Sequence, residues 1–191
     1  TQKTIRAALL ACGTVGGGVY KLLNRRKEEL ADKTGASLEI SAVLVHNINK
    51  RREGVDPSLL TDDFERIAGD PSIDIVIEVM GGIEPARTMI LRSLRAGKNV
   101  VTANKDLIAV HGTELLDAAR ENGVDLLFEA AVAGGIPVIR PLKQCLAANE
   151  LSDVVGIVNG TTNYILTRMF EENMDFGEAL EGAKELGYAE A

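Results

Sequence analysis

The stretch Ile5-Arg6-Ala7-Ala8-Leu9-Leu10-Ala11-Cys12-Gly13-Thr14-Val15-Gly16-Gly17-Gly18 decides the fold. Its first part, Ile5 to Ala11, is a short apolar run that reads as a buried strand ending at a glycine-rich turn. Beyond the turn the period changes. Val15, Val19, Leu22, Leu23 and Leu30 recur at helical spacing, with Lys21, Arg25, Arg26 and Lys27 between them on the wet side. Gly35 punctuates the end of that helix, and Leu38 to Val45 reads as a second strand. Strand, glycine turn, helix and strand within this span make a mononucleotide-binding unit.

The glycines have a chemical reason. Phosphates of a dinucleotide approach backbone N–H groups at the positive end of a helix. A side chain at Gly13 would obstruct the pyrophosphate, and one at Gly16 would hold the helix off the sheet. The first glycine of the usual G-x-G-x-x-G is replaced by Ala11. Taken alone the loop therefore also reads as a tight strand–helix turn. The strand before it, the amphipathic helix after it and the second strand favour the dinucleotide site. At the end of that second strand, the acid that would hold a ribose 2′-hydroxyl is missing. Instead His46-Asn47-Ile48-Asn49-Lys50-Arg51-Arg52 follows Val45. Cations here, Arg51 first among them, suit a 2′-phosphate and hence NADP over NAD. The same run reads equally as a solvated charge cluster, and His46 as a surface histidine.

The alternation continues outward. Ile73 to Val79 reads as a buried strand, and Glu84-Pro85 opens a helix with Pro at its first position. Ile90, Leu91 and Leu94 form that helix's apolar face, and Gly97 ends it. Asn99 to Thr102 is a strand, Leu115, Leu116 and Ala119 mark another helix stopped by Gly123, and Val124 to Phe128 is a further strand. Repeated βα alternation predicts an α/β fold with a Rossmann-type doubly wound parallel sheet. The small, flexible stretch Ala130-Ala131-Val132-Ala133-Gly134-Gly135-Ile136-Pro137 marks a domain transition. Residues 1–130 are read as an NAD(P)-binding domain and 131–191 as the incomplete beginning of an α+β substrate-binding and dimerisation domain. In the latter, Val138 to Leu146 is expected to be a helix and Asp153 to Val158 a strand. Asn159 to Asn163 is a polar turn before a helix bearing Ile165, Leu166 and Met169. A last helix, opened by an Asp175–Glu178 capping box, ends at Gly187.

Bulk properties narrow the function. The 191 residues carry a net charge of −7 and are 46% hydrophobic. No basic field invites nucleic acid. No apolar run approaches the roughly 18 residues of a membrane span. Cys12 and Cys145 show no metal-ligand spacing, which suits a reduced, cytoplasmic protein. Thr1-Gln2-Lys3 leads straight into a strand, so no signal peptide is expected.

Five blocks then fall into a known pattern: Gly13-Thr14-Val15-Gly16-Gly17-Gly18, Glu78-Val79-Met80-Gly81-Gly82, Val101-Thr102-Ala103-Asn104-Lys105, Phe128-Glu129-Ala130-Ala131-Val132-Ala133-Gly134-Gly135-Ile136-Pro137 and Asn159-Gly160-Thr161-Thr162-Asn163-Tyr164-Ile165. Together they resemble the homoserine dehydrogenases, in family order and over the whole chain. The resemblance implies reversible NAD(P)-dependent interconversion of L-homoserine and L-aspartate 4-semialdehyde, on the route to threonine, methionine and isoleucine, by a homodimer. It implies that Thr14, Val15, Met80, Gly81, Thr102, Lys105 and Gly187 contact the cofactor, beside Gly13 and Gly16 of the loop and His46 and Arg51 after the second strand, which are read from the residues themselves. Lys105 would also act as the catalytic lysine facing the substrate; without the motif it would read as a surface lysine at a helix start. Glu129, Val132, Gly134 and Ile136 would hold a monovalent cation such as sodium, which prefers oxygen ligands; the same segment reads equally as a hinge. Asn159, Gly160, Thr161 and Glu190 would bind the substrate, although Thr161 or Thr162 would also serve as a helix N-cap.

The family's proton-donating lysine is expected beyond residue 191, so this chain is expected to bind cofactor and to turn over poorly by itself. Two other readings stay open. One is a different aspartate-pathway dehydrogenase, disfavoured because Cys145 has no histidine nearby in sequence to activate it and the second half lacks a basic, His-bearing substrate motif. The other is a non-catalytic dinucleotide-binding or regulatory module.

Overall fold

A computed structural model describes residues 3–189, so Glu190 lies outside the described residues. The chain divides into two compact units, 1–139 and 140–191.

The first unit is built on six parallel strands. β1 (Lys3–Leu10) leads into α1 (Thr14–Arg25) and α2 (Lys27–Thr34), and β2 (Ala36–Leu44) follows. The helix expected as one piece is thus two, broken at Arg26 (φ −107°, ψ 21°). Gly35 caps α2 in the left-handed conformation, φ 72°, where a side chain is disfavoured. β3 (Leu60–Thr61) and the four-residue α3 (Glu65–Ala68) lie in a stretch where the sequence shows no period. Then come β4 (Ile75–Glu78), α4 (Ala86–Arg95), β5 (Asn99–Thr102), α5 (Lys105–Glu121) and β6 (Leu126–Leu127). Pro85 stands one position before α4 as its N-cap.

The strand order is β3-β2-β1-β4-β5-β6. That is the doubly wound order, in which the chain reverses direction across the sheet between β1 and β4. Each face of the sheet has its own core. Ala8, Leu10, Val76 and Val100 pack with Ile90, Leu94, Leu107 and Leu115 of α4 and α5. On the other face Leu9, Val43 and Val45 pack with Tyr20 of α1 and Val55. Adjacent β1 residues therefore serve opposite cores, which is why the strand reads as continuously apolar rather than alternating. All four residues from Ala7 to Leu10 are fully buried.

The segment 130–139 belongs to the first unit. Glu129 Oε1 accepts the backbone N–H of Val138 (2.5 Å) and of Ile139 (3.0 Å), folding that stretch back on itself.

The second unit pairs α6 (Gly160–Glu171) with α7 (Phe176–Glu185) around Ile165, Ala179 and Ala183. Asp175 caps α7 by accepting the Glu178 N–H at 2.9 Å. Two expectations for this unit need correction. Val138 to Leu146 is not an α-helix: only a wide turn forms over Pro141–Cys145, closed by Leu146 N–H to Pro141 O at 3.0 Å. Pro141 has no N–H to give an α-helix at that position. Asp153 to Val158 is not a strand either. Val155 and Val158 stand 95% and 94% exposed, because a strand forms only where a neighbour supplies its ladder.

Candidate dinucleotide site

Ligands of an open parallel sheet bind outside the carboxyl ends of the strands where the winding reverses. Here that point lies between β1 and β4. A cavity of about 430 Å³ opens there, lined by Ala11, Cys12 and Gly13 after β1, by Val45, His46, Lys50 and Arg52 after β2, and by Met80 after β4.

The loop after β1 is shaped by close approach. A β-carbon on Gly16 would sit 2.2 Å from the carbonyl oxygen of Ala11 and 3.3 Å from Val79. Only glycine lets α1 start this near the sheet. At Gly13, by contrast, an added β-carbon would meet nothing within 4 Å, so that the space above it is open. Gly13 is the N-cap of α1, and no side chain caps the helix and no acid occupies its first turn. The N–H groups around Thr14 and Val15 are thus left for an anion, the chemistry a pyrophosphate needs. Thr14 and Val15 themselves are exposed. Ala11, standing where the motif usually has glycine, adopts φ 78° nonetheless.

Arg51 is exposed and does not line the cavity; Lys50 and Arg52 do. Arg52 donates to the carbonyls of Asn47 (3.0 Å) and Lys50 (2.7 Å), so its guanidinium also shapes the loop that carries it.

After β4, Met80 lines the cavity and Gly81 and Gly82 turn in the left-handed region, φ 77° and 72°. Thr102 is fully buried, and its hydroxyl donates to Glu78 Oε2 at 2.5 Å. It supports this edge from behind. Lys105 is the exposed first residue of α5, directly after the N-cap Asn104. Glu78, the last residue of β4, and Asn104, the N-cap of α5, also stand at this edge. They are buried polar groups at strand and helix ends, but nothing in the sequence marks them as buried.

The remaining expected residues fall elsewhere. Glu129 and its loop lie in the first unit, turning through Ala133 and Gly134 at φ 56° and 59°. Among the described residues there is no group of three or more His, Cys, Asp or Glu that could hold a metal ion. Asn159, Gly160, Thr161 and Gly187 lie in the second unit. The N-cap of α6 is Asn159, which accepts the Thr162 N–H at 2.8 Å, and not Thr161 or Thr162. Thr161 instead donates its hydroxyl to the Tyr188 carbonyl, next to Gly187 (φ 74°). Gly160, Thr161, Asn163, Tyr164 and Tyr188 line a hollow of about 520 Å³, with the two tyrosine rings edge to face at 5.2 Å.

Sheet order, glycine loop and cavity define a dinucleotide-binding domain of the kind found in nicotinamide-dependent oxidoreductases. Comparison with known proteins specifies it further. Residues 12–129 match the model for the homoserine dehydrogenase NAD-binding domain, and residues 137–191 match that for homoserine dehydrogenase. A homoserine dehydrogenase of Bacillus subtilis is 46% identical over all 191 residues, and one of Corynebacterium glutamicum 51% over 184. A crystal structure of a homoserine dehydrogenase from Thiobacillus denitrificans superposes with a TM-score of 0.86 at 44% identity, over 99% of this chain. A hyperthermophilic archaeal homoserine dehydrogenase in complex with NADPH superposes over 98% of this chain at 0.71 and 25% identity. The chain belongs to the homoserine dehydrogenase family. It spans 44% of the Bacillus relative and of the Thiobacillus structure, and 62% of the archaeal one.

Proposed function

We propose that this chain forms the cofactor-binding part of an NADP-dependent enzyme that interconverts L-homoserine and L-aspartate 4-semialdehyde. The observation that carries the reading is the cavity at the β1–β4 reversal, open above Gly13 and flanked by Lys50 and Arg52. Gly13, Thr14, Val15 and Gly16 present the N-terminus of α1 to the pyrophosphate. Lys50 and Arg52, on the loop after β2, pair with a 2′-phosphate, with Asp62 after β3 lining the same cavity. Met80 and Gly81 line the cleft further along the strand edge. When bound, the nicotinamide supplies or accepts the hydride. Lys105, a solvent-facing cation at the same carboxyl edge, orients the substrate or polarises its carbonyl. In the second unit Asn159, Gly160 and Thr161 offer amide and hydroxyl groups to the amino acid.

The proposal extends to a monovalent cation at the turn 129–136, where Glu129 and the carbonyls of Val132, Gly134 and Ile136 offer hard oxygen donors. It also includes a cytoplasmic homodimer in threonine, methionine and isoleucine biosynthesis.

Two measurements test the reading. The chain should bind NADPH, followed by its fluorescence, with micromolar affinity and more tightly than NADH. A Bacillus subtilis enzyme whose corresponding stretch is replaced by these 191 residues should reduce NADP with homoserine. A chain that binds neither dinucleotide, or a folded chimera that binds NADPH without oxidising homoserine, would overturn it.

A further inference from the structure

We infer that Glu78 is a positioning residue for the dinucleotide site. Its buried carboxylate, relayed through Thr102 and Asn104, holds the turn 80–82 and the start of α5 in a single geometry. The inference rests on the dinucleotide-binding reading above.

Glu78 is the last residue of β4 and is wholly buried. Burying a carboxylate is costly unless it is fully hydrogen-bonded. Among the described residues no cation pairs with it. Its three partners are Met80 N–H at 2.7 Å, Gly81 N–H at 3.3 Å and the Thr102 hydroxyl at 2.5 Å. The first two hold the incoming arm of the turn on the cavity's edge. The third passes the constraint to β5.

From there the chain of bonds continues. The Thr102 hydroxyl oxygen accepts the Asn104 N–H at 3.0 Å. Asn104 Nδ2 donates to the Gly82 carbonyl at 2.6 Å, and its Oδ1 caps α5 by accepting the Leu107 N–H at 3.1 Å. The turn is thus pinned at both ends by buried side chains from two elements. That matters because Gly81 and Gly82 are consecutive left-handed glycines, and glycines have the most freedom to lose. The Met80 side chain packs against the core and Val79 N–H bonds the Leu10 carbonyl at 3.2 Å, and the two anchors fix the glycine turn that follows. Lys105, next in sequence to Asn104, takes its direction from the same cap. A carboxylate is needed at the centre because Thr102 spends both hydroxyl functions. It donates to Glu78 and accepts from Asn104, so Glu78 must accept at both oxygens. A glutamine there would strand either the hydroxyl proton or the two loop N–H groups.

The test uses Thr102→Val, which removes the relay at constant shape, Thr102→Ser, which restores the hydroxyl, and Glu78→Gln. Two quantities are read on the folded chain: NADPH affinity, and amide hydrogen exchange at Met80 and Gly81 against Leu9 and Val43 in the core. Thr102→Val and Glu78→Gln should each weaken NADPH binding about tenfold and speed exchange at residues 80 and 81 about tenfold, with core amides following only the global stability. Thr102→Ser should stay within about threefold of the parent in both. If Thr102→Val merely lowers the Tm, with affinity and exchange at 80 and 81 unchanged, the residues are structural filling and the inference fails. It fails too if Thr102→Ser is no better than Thr102→Val. Should Glu78→Gln not fold, the Thr102 pair decides. Should the parent chain bind no dinucleotide, the functional reading fails, while the exchange rates still decide the positioning.

Discussion

The carbonyl oxygen of Ala11 lies 2.2 Å from where a β-carbon on Gly16 would stand. Ala11 reaches that place with φ 78°, a left-handed conformation that costs an L-residue about 1–2 kcal/mol. The loop therefore carries a strained alanine pressed against an obligatory glycine. Ala11→Gly should relieve the strain, offset in part by roughly 0.4–1 kcal/mol of added freedom in the unfolded chain. A net gain of up to about 1 kcal/mol is expected in urea denaturation, with NADPH affinity kept. Gly16→Ala should do the reverse. It drives a methyl into backbone that cannot yield without moving α1, so a loss of about 1–3 kcal/mol is expected together with most of the NADPH affinity.

Lys50 and Arg52 line the cavity and Arg51 does not. Arg52→Ala should weaken NADPH about tenfold or more, on the scale of a charge-assisted hydrogen bond, and NADH less, through the loop that Arg52 ties at Asn47 and Lys50. Lys50→Ala should act in the same direction. Arg51→Ala should change neither. Fluorescence titration of the three variants with both cofactors checks this, and a selective effect at Arg51 would reassign the phosphate partner.

Asn104 does two jobs with one amide. Asn104→Ala should cost roughly 2 kcal/mol, about 1 for the lost cap and about 1 for the Gly82 carbonyl left without its donor. Asn104→Asp keeps the cap but turns a carboxylate toward that carbonyl, so it should not rescue stability. Thermal unfolding of the two variants distinguishes a capping role alone, which Asp would satisfy.

Arg87 of α4 grips Glu114 of α5 at 2.8 and 2.5 Å, and also meets Glu84, while His111 stands 3.3 Å from the same Glu114 carboxylate. The Arg87 guanidinium, first by hydrogen bonding and then by its charge, holds the Glu114 carboxyl below the usual carboxylate range. A pKa lower in the folded than in the unfolded state favours folding above the unfolded value. That advantage disappears as pH falls through the folded one. Wild type should therefore be more stable than Glu114→Gln at neutral pH, and the difference should vanish in acid below the ordinary carboxylate range. Denaturation midpoints across pH, at low salt, measure it.

What was legible in the sequence follows from which physics is local. A run such as Ala7 to Leu10 announces a strand buried on both faces, and the spacing Val15, Val19, Leu22 announces a helix, although Val15 and Leu22 stand exposed and Gly16 and Tyr20 are the residues α1 buries. Gly16 is readable because its constraint is set within six residues. The wrongly expected helix at Val138–Leu146 was also a local matter, since Pro141 stands inside it. The break at Arg26 and the two-residue β3 carry too little period to be seen.

The residues alone determined the βα alternation, the glycine loop and the family, because periodicity and motif spacing are properties of neighbouring positions. Only the tertiary structure decided which cation faces the cavity, that Thr102 turns inward to Glu78, and that Asp153 to Val158 forms no strand. Each of those depends on parts that the chain brings from elsewhere: for the cations, the segments after β1 and β4 that share the cavity with Lys50 and Arg52; for Glu78 and Thr102, strands 24 residues apart; and, for the valines at 154, 155 and 158, a neighbouring ladder that is not among the described residues.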